Sequence, residues 1–253
     1  MSLPDTLFLL AALPAAMLVG FGKGGLPVVG MLGVPVLALV VSPVQAAGLL
    51  LPIYVVTDMF GLWAYRHEFS RRNLAILLPG AVAGIALGWA TARAVPEAAV
   101  TLLVGLIGLA FAVERVANHH RVRRPHAADV PRGLFWGTVT GFTSFVSHSG
   151  GPPFQVYVLP QQLPKMVYAG TNTVLFAIIN AVKLIPYWHL GQVSLANLET
   201  MALLFPPAIL ATLLGVKLTR IVPEEWFFRL VLAALALISV KLIVDGALGL
   251  GVI

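Results

Sequence analysis

Two short stretches gather most of the residues that could do chemistry. They are Gly20-Phe21-Gly22-Lys23-Gly24-Gly25-Leu26-Pro27 and Ser147-His148-Ser149-Gly150-Gly151-Pro152-Pro153. Glycine permits tight backbone turns, and proline suits the first turn of a helix, where its missing N–H is no loss. Each stretch therefore predicts the end of one short helix and the start of another. A helix start presents free N–H groups and a partial positive charge, which together hold anions. Lys23 adds a full charge, and Ser147, His148 and Ser149 add hydrogen-bond donors. The expected anion-binding set is Lys23, Gly24, Gly25, Pro27, Ser147, His148, Ser149, Gly150 and Gly151. The competing reading is close helix packing by the glycines and a Lys23 ammonium reaching for the membrane face. Gly-Gly followed by Pro at both places, with Lys23 and His148 set among apolar residues, favours a site.

Other polar residues interrupt apolar stretches: Thr57 and Asp58, and then Thr171, Asn172, Thr173, Asn180 and Lys183. An ionisable residue inside a membrane span is a functional candidate by default. Asp58 is expected to pair with Lys183, to carry a coupling proton, or to make an interhelical contact. Asp58, His148 and Lys183 are the coupling candidates. Lys183 lies near its helix end, which favours an ammonium that reaches the membrane face. Thr171 and Asn172 fall near the predicted start of the same helix, where they either reach a substrate or cap the helix.

The elements that must position these groups follow from composition. Of 253 residues, 59% are hydrophobic and only 10% charged, with a mean hydropathy of +0.94. A soluble domain carries roughly 25% charged residues, so a soluble enzyme is excluded, and disorder falls with it. An integral, all-α membrane protein remains, because a lipid-exposed chain must satisfy its own backbone hydrogen bonds and no barrel-like alternation is present. The first twenty residues lack a basic leader, carry Asp5 and continue into apolar chain, so they read as a retained helix.

Apolar segments are expected at about 6–22, 26–41, 44–65, 74–94 and 98–114, and again at about 133–147, 152–163, 166–188, 197–219 and 226–248. That makes two repeats of five elements, 1–116 and 132–253, joined by a basic linker, 117–131. In each repeat the first two elements are short or re-entrant around the Gly-Gly-Pro break. The halves match in order: Gly24-Gly25-Leu26-Pro27 with Gly150-Gly151-Pro152-Pro153, Gln45-Ala46-Ala47-Gly48 loosely with Tyr168-Ala169-Gly170-Thr171, Tyr65-Arg66 with Trp188-His189, and Val95-Pro96-Glu97 with Val222-Pro223-Glu224. Repeats of this size are common in transporters.

The formal charge is +6. Three of the cations lie at Arg66, Arg71 and Arg72, and five more between Arg115 and Arg132. Both groups sit between apolar segments, as cytoplasmic loops should, so nucleic acid is not the expected partner. Placing both loops inside makes the second repeat run inverted. Lys217 and Arg220 then fall inside, His189–Glu199 outside, and both termini in the periplasm. The two breaks would face each other at the midplane. There is no cysteine, no P-loop, and no catalytic motif. His119, His120 and His126 have no acidic partner at ligand spacing, so neither metal nor cofactor is expected.

On the two Gly-Gly-Pro motifs, on Ala47-Gly48 and Ala169-Gly170-Thr171, and on Tyr65-Arg66-His67, the chain resembles the TauE/SafE sulfite exporter family over nearly its whole length. Lys23 departs from the family pattern, which has small or uncharged residues there, and Ser147-His148-Ser149 stands where glycine is more usual. The resemblance implies a multi-pass carrier of the bacterial inner membrane. Its substrate would be a small sulfur-containing anion of the sulfite, thiosulfate, sulfonate or sulfoacetate class, moved by alternating access. Protons and a second copy of the chain, as a homodimer, are further candidate partners. No enzyme chemistry is needed for this. A passive anion channel, and a membrane enzyme or assembly subunit handling a sulfur compound, are the alternatives.

Overall fold

The computed structural model describes residues 6–30, 32–37, 39–41, 43–91, 96–117, 125–191 and 201–252. Those residues are helical throughout, with no strand among them. The helices are α1 (Thr6–Lys23), α2 (Pro27–Gly30), α3 (Gly33–Leu37), α4 (Pro43–Ala64), α5 (Arg71–Thr91), α6 (Glu97–Ala117), α7 (Val130–Ser147) and α8 (Gly151–Val158). A 3₁₀ turn at Leu159–Gln161 is followed by α9 (Lys165–His189), α10 (Phe205–Ile221) and α11 (Glu224–Gly249). Among the described residues, five helices are long and apolar enough to cross a membrane: α1, α4, α5, α9 and α11.

Both glycine-rich stretches break helices where expected, α1 ending at Lys23 and α7 at Ser147. Three expectations change. The element at 26–41 is two short helices, because Gly30 and Gly33 interrupt it and leave too few residues for one continuous helix. The element after the second break is two turns of α-helix closed by a 3₁₀ turn, with Gln162 left-handed at its end (φ 51°). The first element is not short, since α1 at 18 residues ranks among the candidate spans. The linker residues 118–124, which include His119 and His120, and the loop residues 192–200 lie outside the described residues, as do both termini.

The chain divides into two compact units that do not follow its halves. One contains residues 1–69 and 169–222, the other 70–168 and 223–253. In the first, α1 packs on α2, α3, α4 and α10. Its inner face is built from small residues, Ala12, Ala15, Ala16 and Val19, against Leu37, Leu50, Ile53 and Ala208. Gly20 and Gly24 lie directly on the Ala208–Gly215 stretch of α10, and a Cβ at Gly24 would meet the Thr212 carbonyl and the Gly215 backbone. Lipid offers little hydrophobic drive between helices, so such close backbone approach is what holds them together.

In the second unit, α5 packs on α7 and α6 on α11. Gly80, Gly84 and Gly88 on α5 face α7, and Gly137 and Gly141 on α7 face the Leu77 and Ala81 carbonyls of α5. Asp129 caps α7 by accepting from the Arg132 N–H at 2.8 Å. A buried amide pair joins Asn73 to Gln161 through reciprocal bonds of 2.9 and 3.0 Å. Arg72 donates to the Ala128 carbonyl, which ties the start of α5 to the end of the basic linker.

Candidate functional site

Within the first unit, three helices bring buried charges together. Lys23 ends α1, Asp58 lies in α4, and Asn180 and Lys183 lie in α9. The Lys23 ammonium sits 2.6 Å from Asp58 Oδ1. The Asn180 amide donates to the other carboxylate oxygen, Oδ2, at 2.8 Å. Lys23 also lies over the Tyr54 ring, 5.2 Å from its centroid, and Lys183 over the Tyr187 ring at 5.4 Å. All four polar residues are buried: Lys23 is 6% exposed, Asp58 3%, Asn180 4% and Lys183 1%. Counted at their formal charges, two lysines against one aspartate leave one excess positive charge in an apolar interior.

Two expectations are corrected here. Asp58 pairs with Lys23, not with Lys183, whose charge acts on both of them from farther away. Neither lysine reaches for the membrane face, because both ammoniums are enclosed by protein. The alignment that does this was present in the sequence. Tyr54, Asp58 and Gly61 recur at helical spacing along one side of α4, with Tyr65 continuing the spacing just past its end, and Thr173, Asn180, Lys183 and Tyr187 recur along one side of α9. Asn180, Tyr54 and Tyr187 were not singled out beforehand as part of a site.

The first break fixes the lysine by its backbone. Carbonyl oxygens at a helix C-terminus lack intrahelical partners, and here hydroxyls supply them. Thr173 donates to the Lys23 carbonyl at 3.4 Å. Tyr65 at 2.8 Å and Thr219 at 3.2 Å both donate to the Gly24 carbonyl. Gly61 is what lets α9 approach, since a Cβ there would press on Thr173 and the Lys23 carbonyl. Gly25 turns the chain at φ +106°, against the Tyr65 hydroxyl, a conformation glycine adopts without penalty. The N–H groups of Gly24, Gly25 and Leu26 donate to carbonyls of α1, so they are not the free donors a helix start would offer. With α2 only four residues long, the principal positive charge at this break is the Lys23 ammonium.

Thr171 and Asn172 are buried in the second turn of α9, which begins at Lys165, so they do not cap it. Asn172 Oδ1 has no hydrogen-bond partner among the described residues. Gly170 meets the Glu68 carbonyl and the Tyr65 side chain. The Ala169-Gly170-Thr171 and Tyr65-Arg66 motifs are thus two sides of one contact.

The second break lies in the other unit. His148 stands at the C-terminal cap of α7 in left-handed conformation, φ 52°, and its N–H and that of Ser149 both reach the Thr143 carbonyl. His148 is half-buried; Ser149, Gly150 and Gly151 are buried. Glycine takes this backbone conformation more readily than histidine. His148→Gly is therefore expected to raise the thermal unfolding midpoint, by the equivalent of about 1 kcal/mol, while His148→Val lowers it; equal midpoints would remove the strain argument. Along α8, Gln155 is 1% exposed, and among the described residues neither its amide nitrogen nor its oxygen has a hydrogen-bond partner. Among the described residues no group of three or more His, Cys, Asp or Glu side chains gathers for a metal.

A family model described as sulfite exporter TauE/SafE matches residues 10–242. No curated protein and no solved structure matches the chain. The family match takes in both glycine-rich breaks, the Lys23–Asp58 pair and the α4–α9 contact, and at nearly full length it places the chain in the TauE/SafE sulfite exporter family.

Proposed function

We propose that the chain is a secondary carrier of small sulfur-containing anions, of the sulfite, thiosulfate, sulfonate or sulfoacetate class, working by alternating access across the bacterial inner membrane. The observation that carries this is the buried cluster of Lys23, Asp58 and Lys183, with its excess positive charge. An anion leaving water needs a compensating charge and donors in the interior, and the cluster offers both. Each unit also holds an unsatisfied polar group that an anion could meet. Asn172 on α9 and Gln155 on α8 keep buried polar atoms without partners, each costing about 1–3 kcal/mol unless something binds them. In the first unit the candidate substrate residues are Lys23, Gly24, Gly25, Pro27, Thr171 and Asn172; in the second they are Ser147, His148, Ser149, Gly150, Gly151 and Gln155.

The packing within each unit supports the inverted repeat, 1–116 against 132–253. In one unit the first element of the first repeat, α1, packs on the fourth element of the second, α10. In the other the first element of the second repeat, α7, packs on the fourth element of the first, α5. Exchange of equivalent partners is what a two-fold relation between halves generates. The charged ends support the orientation. Arg220, closing α10, lies 3.7 Å from Glu68 in the Arg66–Arg72 loop, and Arg72 is bonded to the linker at Ala128. Each contact joins two polar segments within one unit, as loops on the same side of a membrane would be joined.

Proteoliposomes of the purified chain test the proposal. Sulfite, thiosulfate or methanesulfonate flux should saturate with concentration and deliver the anion chemically unchanged. A flux that rises linearly without saturation would make the chain a channel, and a modified product would make it an enzyme. Gln155→Leu should keep or raise thermal stability while raising the half-saturation concentration several-fold; an unchanged value removes Gln155 from the path.

A further inference from the structure

The two oxygens of Asp58 have different jobs. Oδ2 accepts from the Asn180 amide. Oδ1 faces the Lys23 ammonium and has no hydrogen-bond partner besides that ionic contact among the described residues. A proton added at Oδ1 would cancel the attraction to Lys23 while leaving Oδ2 a carbonyl-type acceptor for Asn180. The carboxyl group would stay in place, held by α9, and only the ammonium would be released.

The surroundings leave few other charges to intervene. Facing Asp58 are Lys23 from α1, Lys183 with Asn180 from α9, and Tyr54 on its own helix. Tyr187 lies beyond Lys183. The short helices α2 and α3 carry no titratable residue, and the charged residues of α10, Lys217 and Arg220, are exposed.

Building on the carrier reading above, we infer that Asp58 and the transported anion are alternative occupants of the Lys23 ammonium, and that Asp58 vacates it by taking up one proton. The charge balance makes the exchange economical. Empty, the cluster holds two ammoniums and one carboxylate, a net single positive charge. Loaded with a monovalent anion and one proton on Asp58, it again holds a net single positive charge. The interior never carries more charge in one state than in the other, so neither state incurs an extra burial cost. One proton therefore travels with each negative charge carried, and the carrier is a proton–anion symporter whose binding step is the competition at Lys23.

Methanesulfonate is a suitable probe because it stays a monoanion from pH 5 to 8. Calorimetry on the purified protein, in buffers of different ionisation enthalpy, should show one proton taken up per methanesulfonate bound at pH 8. The wild-type affinity should fall about tenfold per pH unit across the upper range, the slope of a one-proton linkage. In Asp58→Asn the proton uptake should drop to zero and the affinity become independent of pH, because the amide cannot hold Lys23 as a carboxylate does. In proteoliposomes, an imposed pH gradient should drive accumulation of methanesulfonate by the wild type and none by Asp58→Asn, whose downhill flux persists. Wild-type binding without proton uptake overturns the competition while leaving the carrier reading intact, and needs no variant to fold. Gradient-driven accumulation by Asp58→Asn overturns it as well. A wild type that neither binds nor carries any of the sulfur anions defeats the carrier reading itself.

Discussion

Lys23→Met is expected to lower the stability of the chain by about 3–5 kcal/mol, a fall in the unfolding midpoint on the order of 10 °C. The lysine and Asp58 are both almost fully enclosed, so removing the ammonium strands a carboxylate in the interior. Asn180 would be left as its one close donor. The double variant Lys23→Met with Asp58→Asn should recover most of the loss, because it removes both charges and keeps an acceptor for the Asn180 amide. Neutral, well-packed replacements of buried ion pairs are often no less stable than the pair itself. Transport should behave in the opposite way. Both variants lack the ammonium that takes the anion, so both should carry none. Stability and activity thus separate in one cycle, measured by thermal unfolding in detergent and by flux in proteoliposomes. If the double variant unfolds as early as Lys23→Met alone, the pair is not the energetic unit described here. If either variant carries sulfite at the wild-type rate, Lys23 is no part of the anion path.

Asp58→Asn alone offers an internal check on that cycle. It leaves Lys23 buried beside an amide that cannot balance its charge, so it should be less stable than the double variant. An added anion should then stabilise it more than it stabilises the wild type, since a ligand that binds only the folded state raises its stability.

How far the sequence prefigured this arrangement differs from element to element. The helix ends at Lys23 and Ser147 were legible because Gly-Gly followed by Pro punctuates a helix by local chemistry alone. The split between α2 and α3 was also written locally, in Gly30 and Gly33, but the apolar run from 26 to 41 masked it. Asp58 and Lys183 were visible as anomalies in apolar helices, yet their partners were not. Which charge meets which depends on the rotation of three helices about their axes, and spacing along one helix fixes only which residues share a side. Thr171 and Asn172 were misplaced as caps for a simpler reason. The start of α9, at Lys165, is set by Pro164, whose carbonyl accepts the Tyr168 N–H; the expected start at about 166 was within one residue of it, and Thr171 and Asn172 already lay more than a turn inside the helix, beyond the reach of a cap. Least legible was that α1 and α7 each pack on a helix from the other half of the chain. No local pattern says that α1 packs on α10 and not on the helix equivalent to it in its own half.

The glycine spacing on α5 and α7 was legible in principle, and it supports the second large expectation. Gly80, Gly84 and Gly88 recur every four residues, as do Gly133, Gly137 and Gly141. In the structure a Cβ on Gly84 would run into the Thr138 carbonyl and lie 2.7 Å from the Phe142 nitrogen, and one on Gly141 would run into the Ala81 carbonyl. The obstacles are backbone atoms on the partner helix, so no side-chain rotation relieves a substitution. Gly84→Leu must push α5 and α7 apart along their length, forfeiting the dispersion contacts that replace a hydrophobic drive between helices in lipid. Overpacking a well-filled interior costs about 1–3 kcal/mol even where side chains can yield, so here the loss should reach or exceed the upper end. Val82→Leu, on an exposed face of the same helix, supplies the control for added bulk. Thermal unfolding and purified yield of the two variants decide the point: Gly84→Leu should unfold well below the wild type and Val82→Leu close to it. Equal midpoints would mean that the α5–α7 contact is not a close-packed one. The Lys23–Asp58 pair belongs to the other unit, so any Gly84→Leu protein that survives should still show proton uptake on binding methanesulfonate, separating damage to the scaffold from damage to the site.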